Sequence, residues 1–235
     1  MSIASNLERV RNEIADACAR THRDPSSIAL MAVSKMHPAD AILEAHAAGQ
    51  RLFGENRVQE WQSKLPQLTA LFDATRSVPP AAQAHLIGPL QNNKTTKAAE
   101  LFHAVDTIDS FKTADRLDRA AAALNKTLPV LIEVKLSPEE TKHGLSPEDL
   151  PTLLDQLAPL THLIVRGLMT VPPWSEDPEP ARPDFAHLRR LRDDLQPTHP
   201  TLTELSMGMT NDFRVAIEEG STTVRIGTAI FGKRT

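Results

Sequence analysis

Tyrosine is absent from the 235 residues of this chain, and phenylalanine and tryptophan together make up only 4% of it. Cysteine occurs once, at Cys18, which excludes any internal disulfide and fits a reducing cytosol. There is no basic excess. The formal net charge is −4, whereas a nucleic-acid partner would favour a basic balance or stripe. No apolar run approaches the roughly 20 residues that span a bilayer. The opening stretch, MSIASNLERVRNEIADACART, has no apolar core of a signal peptide, and Glu8, Glu13 and Asp16 argue against a transit peptide. A dinucleotide fingerprint G-x-G-x-x-G and a zinc-protease H-E-x-x-H are also missing. These absences leave a soluble, cytoplasmic protein as the expectation, with no nucleic acid and no membrane among its partners.

What is present alternates. The first segment reads as a helix, with Ser5 and Glu8 in a capping-box pattern and Leu7, Val10, Ile14, Ala17 and Cys18 on one face. Cys18 is then a small apolar core residue. Short strand-like runs follow at 28–34, 51–55, 84–88, 104–108, 129–135, 162–169, 202–206 and 223–227. Helical patterns lie between them at 39–48, 94–102, 111–124, 147–157, 182–195 and 211–219. Strand–helix alternation implies right-handed crossovers and a parallel sheet. Eight such units predict an α/β fold: a single (β/α)8 TIM barrel over 1–235, with an extra N-terminal helix. Two proline-rich stretches, 76–83 and 172–183, read as surface loops, the second as either a lid or a partner contact.

Barrels of this kind carry their site at the C-terminal ends of the strands. The stretch LMAVSKMHPAD (30–40) places Lys35 there, just before a helix start marked by Pro38 and Asp40. If Val33 faces the barrel interior, Lys35 does too. A buried ammonium is costly unless paired, and burial lowers a lysine's pKa. A neutral amine attacks aldehydes, the lysine chemistry of Schiff bases. A lysine that snorkels to solvent is the simpler alternative. At the other end of the chain, Ser206, Gly208 and Thr210 form a tight segment before a helix that Thr210 can cap, and Gly227 and Thr228 follow the last strand. The loops after the seventh and eighth strands are where such barrels bind phosphate. An aldehyde that carries a phosphate suits both features, and pyridoxal 5′-phosphate (PLP) is such a molecule. Arg225, one strand from Lys35 in a closed barrel, suits the pyridine nitrogen of PLP; a salt bridge to Glu133 is its structural alternative.

AVSK (32–35), FGENRVQE (53–60), HLIGPLQNNK (85–94), TIDS (107–110), RGLM (166–169), SMGMTNDFRVAI (206–217) and GSTTVRIGTAIFG (220–232) closely resemble the pyridoxal-phosphate homeostasis protein family, the single-domain relatives of the alanine racemase barrel. The match runs along nearly the whole chain. The resemblance implies a Schiff base of PLP at Lys35 and Arg225 near the pyridine nitrogen. It further implies phosphate contacts from Ser206, Thr210, Gly227 and Thr228, and a contact from Asn56. It implies a PLP carrier serving vitamin B6 homeostasis without robust turnover, with PLP-dependent apo-enzymes as recipients and a monomeric state.

Strand five departs from the family's pattern. It reads IEVK where amides are usual, so Glu133 and Lys135 either pair on one face or bring Lys135 near Lys35. A racemase would be the competing reading, but the related racemases add a tyrosine from a second domain, and the chain has no tyrosine. GPLQNNKT (88–95) mimics a phosphate-binding loop, yet Asn93 replaces its second glycine and Pro89 removes an N–H. Nine scattered histidines and one cysteine suggest no metal site. Lys94 and Lys97 read as a solvated helix end.

Overall fold

The computed structural model describes residues 2–72, 81–137 and 143–232. Helix α1 (Ile3–Arg20) precedes β1 (Ala29–Val33). Then follow α2 (Ala39–Ala47), β2 (Leu52–Glu55), α3 (Val58–Phe72), β3 (Gln83–Leu86), α4 (Thr95–Leu101), β4 (Ala104–Ile108), α5 (Phe111–Ala123) and β5 (Leu128–Glu133). The chain continues with α6 (Leu150–Leu157), β6 (Leu163–Met169), α7 (Arg182–Leu195), β7 (Glu204–Met209), α8 (Phe213–Glu218), β8 (Thr223–Ile226) and α9 (Thr228–Phe231). Each strand pairs in parallel with the next, and β8 returns to β1, closing the barrel in chain order. The expected TIM barrel and its extra N-terminal helix are both present.

Alternation along the strands sorts side chains between two layers. Ala32, Phe53, Leu86, Val105 and Ile226 join the apolar layer under the helices. Met31 points into the barrel, where Gly54 makes room for it. A Cβ on Gly54 would come within 2.8 Å of both the Met31 sulfur and Ile87 Cδ1. Helix α1 shields its apolar stripe, including a fully buried Cys18, against α2, α8 and α9. It also holds α9 directly, since Asn6 Nδ2 donates to the Ile230 carbonyl at 2.9 Å.

Four readings of the sequence need correction. The cap of α1 is Ser2, whose Oγ accepts from the Ser5 amide at 3.2 Å, so Ser5 and Glu8 lie inside the helix. Strand β7 runs on to Met209, three residues past its expected end at Ser206, so Gly208 belongs to a strand and not to a turn. Thr210 does not cap α8. Asp212 holds that position and closes the preceding turn by accepting from the Met209 amide at 2.6 Å. Finally, α3 was not anticipated. Its inward positions are Val58, Trp61, Lys64 and Leu68, and a lysine on the buried face, with Pro66 inside the helix, breaks the apolar pattern that would reveal it. Residues 76–80 of the first proline-rich loop lie outside the described residues. The second loop is described, with a 3-10 turn at Glu179–Ala181 leading into α7.

Candidate functional site

A cavity of about 710 Å³ opens at the C-terminal ends of the strands. Lys35, Asn56, Thr210, Arg225, Gly227 and Thr228 all line it. Residues 35 and 228 are far apart in the chain, and barrel closure through the β1–β8 pairing brings them to one mouth. Ser206 does not line the cavity. It is fully buried in β7, and its Oγ accepts from Arg225 Nη1 at 2.7 Å.

Lys35 stands two residues beyond the end of β1, in the turn before α2, so the strand alternation applied to it ends sooner than the sequence suggested. It nevertheless lines the cavity, as Val33 does, and is half-buried. Pro38 is the N-cap residue of α2, and Asp40 lies in its first turn. Met36, the next residue after Lys35, has a φ of +63°, an uncommon left-handed conformation for a side chain of its size.

Across the β8–β1 seam the groups are mostly backbone. Gly227 caps the short helix α9, and the first amides of a helix have no intrahelical acceptor. Such amides favour an anion. A Cβ on Gly227 would approach the Val33 carbonyl to 3.3 Å, a tight fit between the two strands. Gly208 has a φ of +96°, and a Cβ there would lie 2.6 Å from Ala216 Cβ and 2.9 Å from Phe213 Cα. Only glycine lets α8 pack this closely on β7.

Arg225 is 4% exposed. Its Nη1 donates to the Ser206 carbonyl at 2.6 Å as well as to the Ser206 hydroxyl, and its Nη2 donates to the Thr170 carbonyl at 2.8 Å. Burial lowers its pKa, against the opposing pull of Asp106, Glu133 and Asp212. The alternative of a direct Arg225–Glu133 salt bridge is not realised, because the guanidinium is spent on carbonyls and acts on Glu133 only at longer range.

Glu133 ends β5 and lines the cavity at 9% exposure. Among the described residues, its carboxylate makes no hydrogen bond or ion pair. Burial pushes its pKa up, Arg225 pulls it down, and Asp109 pushes it further up. Lys135 lies past the end of β5, where Val134 bridges Leu145. It does not line the cavity, and no ion pair joins the two among the described residues. Asp212 is a second cavity carboxyl raised by burial.

The rim has features that sequence reasoning passed over. His37 stacks on Phe231 with centroids 5.0 Å apart, joining the Lys35 turn to α9. Trp174, 79% exposed, lines the mouth from the 172–183 loop. Asn211 Nδ2 ties that loop to the β7–α8 turn by donating to the Ser175 carbonyl at 2.6 Å and the Glu176 carbonyl at 3.1 Å. Beneath the Lys35 turn lies a charged cluster of Ser34, Glu55, Glu60 and Lys64. The signal for it was the same lysine that obscured α3. Lys97 pairs with Glu100 at 2.7 Å on the surface, and Gly88 and Pro89 reach the cavity while Lys94 does not. Among the described residues no group of three or more His, Cys, Asp or Glu could hold a metal ion, and no helix is long and apolar enough to cross a membrane.

The arrangement therefore offers one amine, one helix-start turn and one buried guanidinium around a single cavity. Comparison with known proteins is consistent along the whole chain. The family model described as alanine racemase, N-terminal domain, matches residues 5–235. The pyridoxal phosphate homeostasis protein of Vibrio cholerae is 44% identical over 233 residues, covering 99% of this chain and 97% of that one. Its counterpart in Pseudomonas aeruginosa is 42% identical, covering 99% and 96%. The structure of PipY from Synechococcus elongatus with PLP bound superposes with a TM-score of 0.85 at 42% identity, covering 98% of this chain and all of that one. An alanine racemase of Clostridium difficile shares the fold at a TM-score of 0.70 and 14% identity, and the chain spans 56% of it. The chain belongs to the pyridoxal phosphate homeostasis proteins, a family built on the alanine racemase N-terminal domain.

Proposed function

We propose that residues 1–235 form one PLP-binding domain that holds PLP in the barrel mouth through Lys35 Nζ. The protein serves PLP homeostasis in the cytoplasm as a monomeric carrier, without robust turnover, and passes PLP to apo-enzymes that require it. The observation that carries this reading is the meeting of Lys35 with the Gly227–Thr228 turn and Arg225 around one cavity. Support comes from PipY, 42% identical, whose structure has been solved with and without PLP.

PLP supplies an aldehyde that condenses with a primary amine, forming a C=N bond and releasing water. The chain's own groups fit that molecule. Lys35 Nζ would supply the nitrogen: its ammonium would lose one proton to solvent, and its other two hydrogens would leave with the aldehyde oxygen as water. The first amides of α9 and the hydroxyls of Thr210 and Thr228 would hold the phosphate, and Asn56 would make a further contact. Ser206 acts from beneath by fixing Arg225. Arg225 would meet the ring nitrogen with the N–H donors left over from its carbonyl bonds; a guanidinium stays protonated, so it would keep that nitrogen unprotonated and weaken the ring as an electron sink.

The cavity is also poorly suited to a racemase substrate. An amino acid's carboxylate needs a cation, but three of the five N–H donors of Arg225 are already bonded to Ser206 and Thr170, and the Glu133 carboxyl shares the cavity. No tyrosine exists to act as a second base.

The test is visible absorption of the purified protein, followed by borohydride reduction and mapping of the modified peptide. A yellow protein labelled at Lys35 is the expected result. A label on Lys135 or scattered over surface lysines would overturn the assignment, and substantial racemisation of an amino acid would overturn the carrier reading.

A further inference from the structure

Lys35 sits between two residues that are each tied down from below. Ser34 is fully buried and uses every polar group it has. Its amide donates to the Gly54 carbonyl at 3.1 Å, and its hydroxyl donates to Glu55 Oε1 at 2.7 Å. Its carbonyl accepts from Lys64 Nζ at 3.0 Å and from the His37 amide at 3.1 Å. On the other flank, the Met36 amide donates to Glu60 Oε1.

One ammonium joins the two flanks. Lys64 Nζ reaches Glu55 Oε1 and Glu60 Oε1, each at 2.8 Å, while also holding the Ser34 carbonyl. Its three N–H donors are thereby used, which is the full capacity of a lysine. Glu55 is fully buried, and its Oε2 has no partner among the described residues, so all of its contact runs through Oε1. Glu60 feels burial first, but the bonds from Lys64 and the Met36 amide outweigh it and hold its pKa low, keeping the acceptor ionised. Neither Lys64 nor Glu60 lines the cavity.

A buried ion pair is a poor way to gain stability, because its desolvation cost rivals its attraction; fixing geometry is a better-attested use. Here the geometry fixed is the left-handed residue after Lys35 and the residue before it. We infer that Lys64, with Glu55 and Glu60, is a positioning residue whose clamp on Ser34 and Met36 aims Lys35 Nζ into the cavity. This rests on the reading of Lys35 as the attachment point for PLP and adds how the amine is directed.

Two measurements on the whole protein test it. The first is hydrogen exchange at the Met36 amide without added PLP, with α5 amides as an internal reference. The second is the rate at which PLP becomes attached at Lys35, followed by the visible band and borohydride mapping, alongside the affinity for inorganic phosphate. Lys64→Met should speed Met36 exchange and slow attachment, each by tenfold or more, with phosphate affinity changed by less than twofold. Lys64→Arg should restore much of the rate. Glu60→Ala leaves the Lys64–Glu55 pair in place and is the variant to use if Lys64→Met does not fold; it should show the same pattern in weaker form. Unchanged attachment in a folded variant overturns the inference, and so does an equal loss of phosphate affinity, which would mean a general disturbance of the barrel mouth. If the native protein takes no label at Lys35, it is the binding reading that fails. Met36 exchange released by Glu60→Ala would still sustain the clamp.

Discussion

On the β7–β8 side of the barrel mouth, the cavity-facing groups are backbone and small hydroxyls: Gly227, Thr228 and Thr210, with Arg225 pinned to carbonyls below. On the β1–β2 side, the single amine of Lys35 rides on a buried network of charged side chains, Glu55, Lys64 and Glu60. On the proposed binding of PLP, the difference follows from what each side would hold. An anion is held by many weak donors whose positions are set by main-chain geometry, and glycines suffice to bring them close. One nucleophilic atom at the end of a flexible four-carbon stem needs its base fixed, and tightly coupled ionised groups do that at the cost of desolvation.

If the β1–β2 side depends on buried charge, Lys64→Met should be the most costly change. It removes one partner of a pair whose side chains are 9% and 0% exposed, and the expected loss is about 3 to 5 kcal/mol. Urea unfolding measures it, and a loss under about 1 kcal/mol would erase the contrast between the two sides. On the β7–β8 side the sharpest test is Gly208→Ala. The positive φ and the contact with Phe213 and Ala216 predict a loss of about 2 to 3 kcal/mol in the same assay. A near-neutral result would show that α8 can withdraw from β7.

Thr228→Val addresses ligand affinity. It should weaken PLP and inorganic phosphate binding about tenfold, with stability almost unchanged, because one hydrogen bond to a charged group is worth about 1.5 kcal/mol. Titration calorimetry reads both ligands, and equal affinity in the variant would place the anion elsewhere.

The smallest effect concerns Glu133, between the two sides. Burial raises its pKa in the folded protein above its ordinary value of 4.5. The folded state therefore holds that proton more tightly than the unfolded chain does, so this carboxyl costs nothing at low pH. Its penalty grows as pH rises from the unfolded value through the raised folded one, and is complete above it. Glu133→Gln should thus stabilise the ligand-free protein by about 1 kcal/mol at neutral pH, with the gain vanishing below about pH 4. Melting temperatures across that range check it, and a gain that grows as pH falls would reverse the assignment.

Much of the anion side was legible because its signal is local. Glycine and hydroxyl residues at the ends of the last two strands mark a turn by their own conformational preferences. Lys35 was legible for a similar reason, being a charge at the exit of an apolar run. Ser206 was harder to place. It was read as the last residue of its strand, opening the phosphate segment, but β7 extends three residues further, to Met209, and Ser206 lies buried beneath Arg225 instead of in the cavity. The clamp was invisible because Lys64 looks like a surface residue that interrupts a helix, and its partners come from β2, from α3 and from the turn after β1.

The order of the βα units, their count and the chemical types at the strand ends were set by the sequence alone, because alternation, periodicity and turn preference act within about ten residues. Which of those residues share the cavity, and which stand behind it, was decided by the tertiary structure. Strand length and register choose the face each side chain takes, and a shift of one residue reverses it. Barrel closure then joins Lys35 to Gly227, and the packing of α3 brings Lys64 beneath the turn it holds.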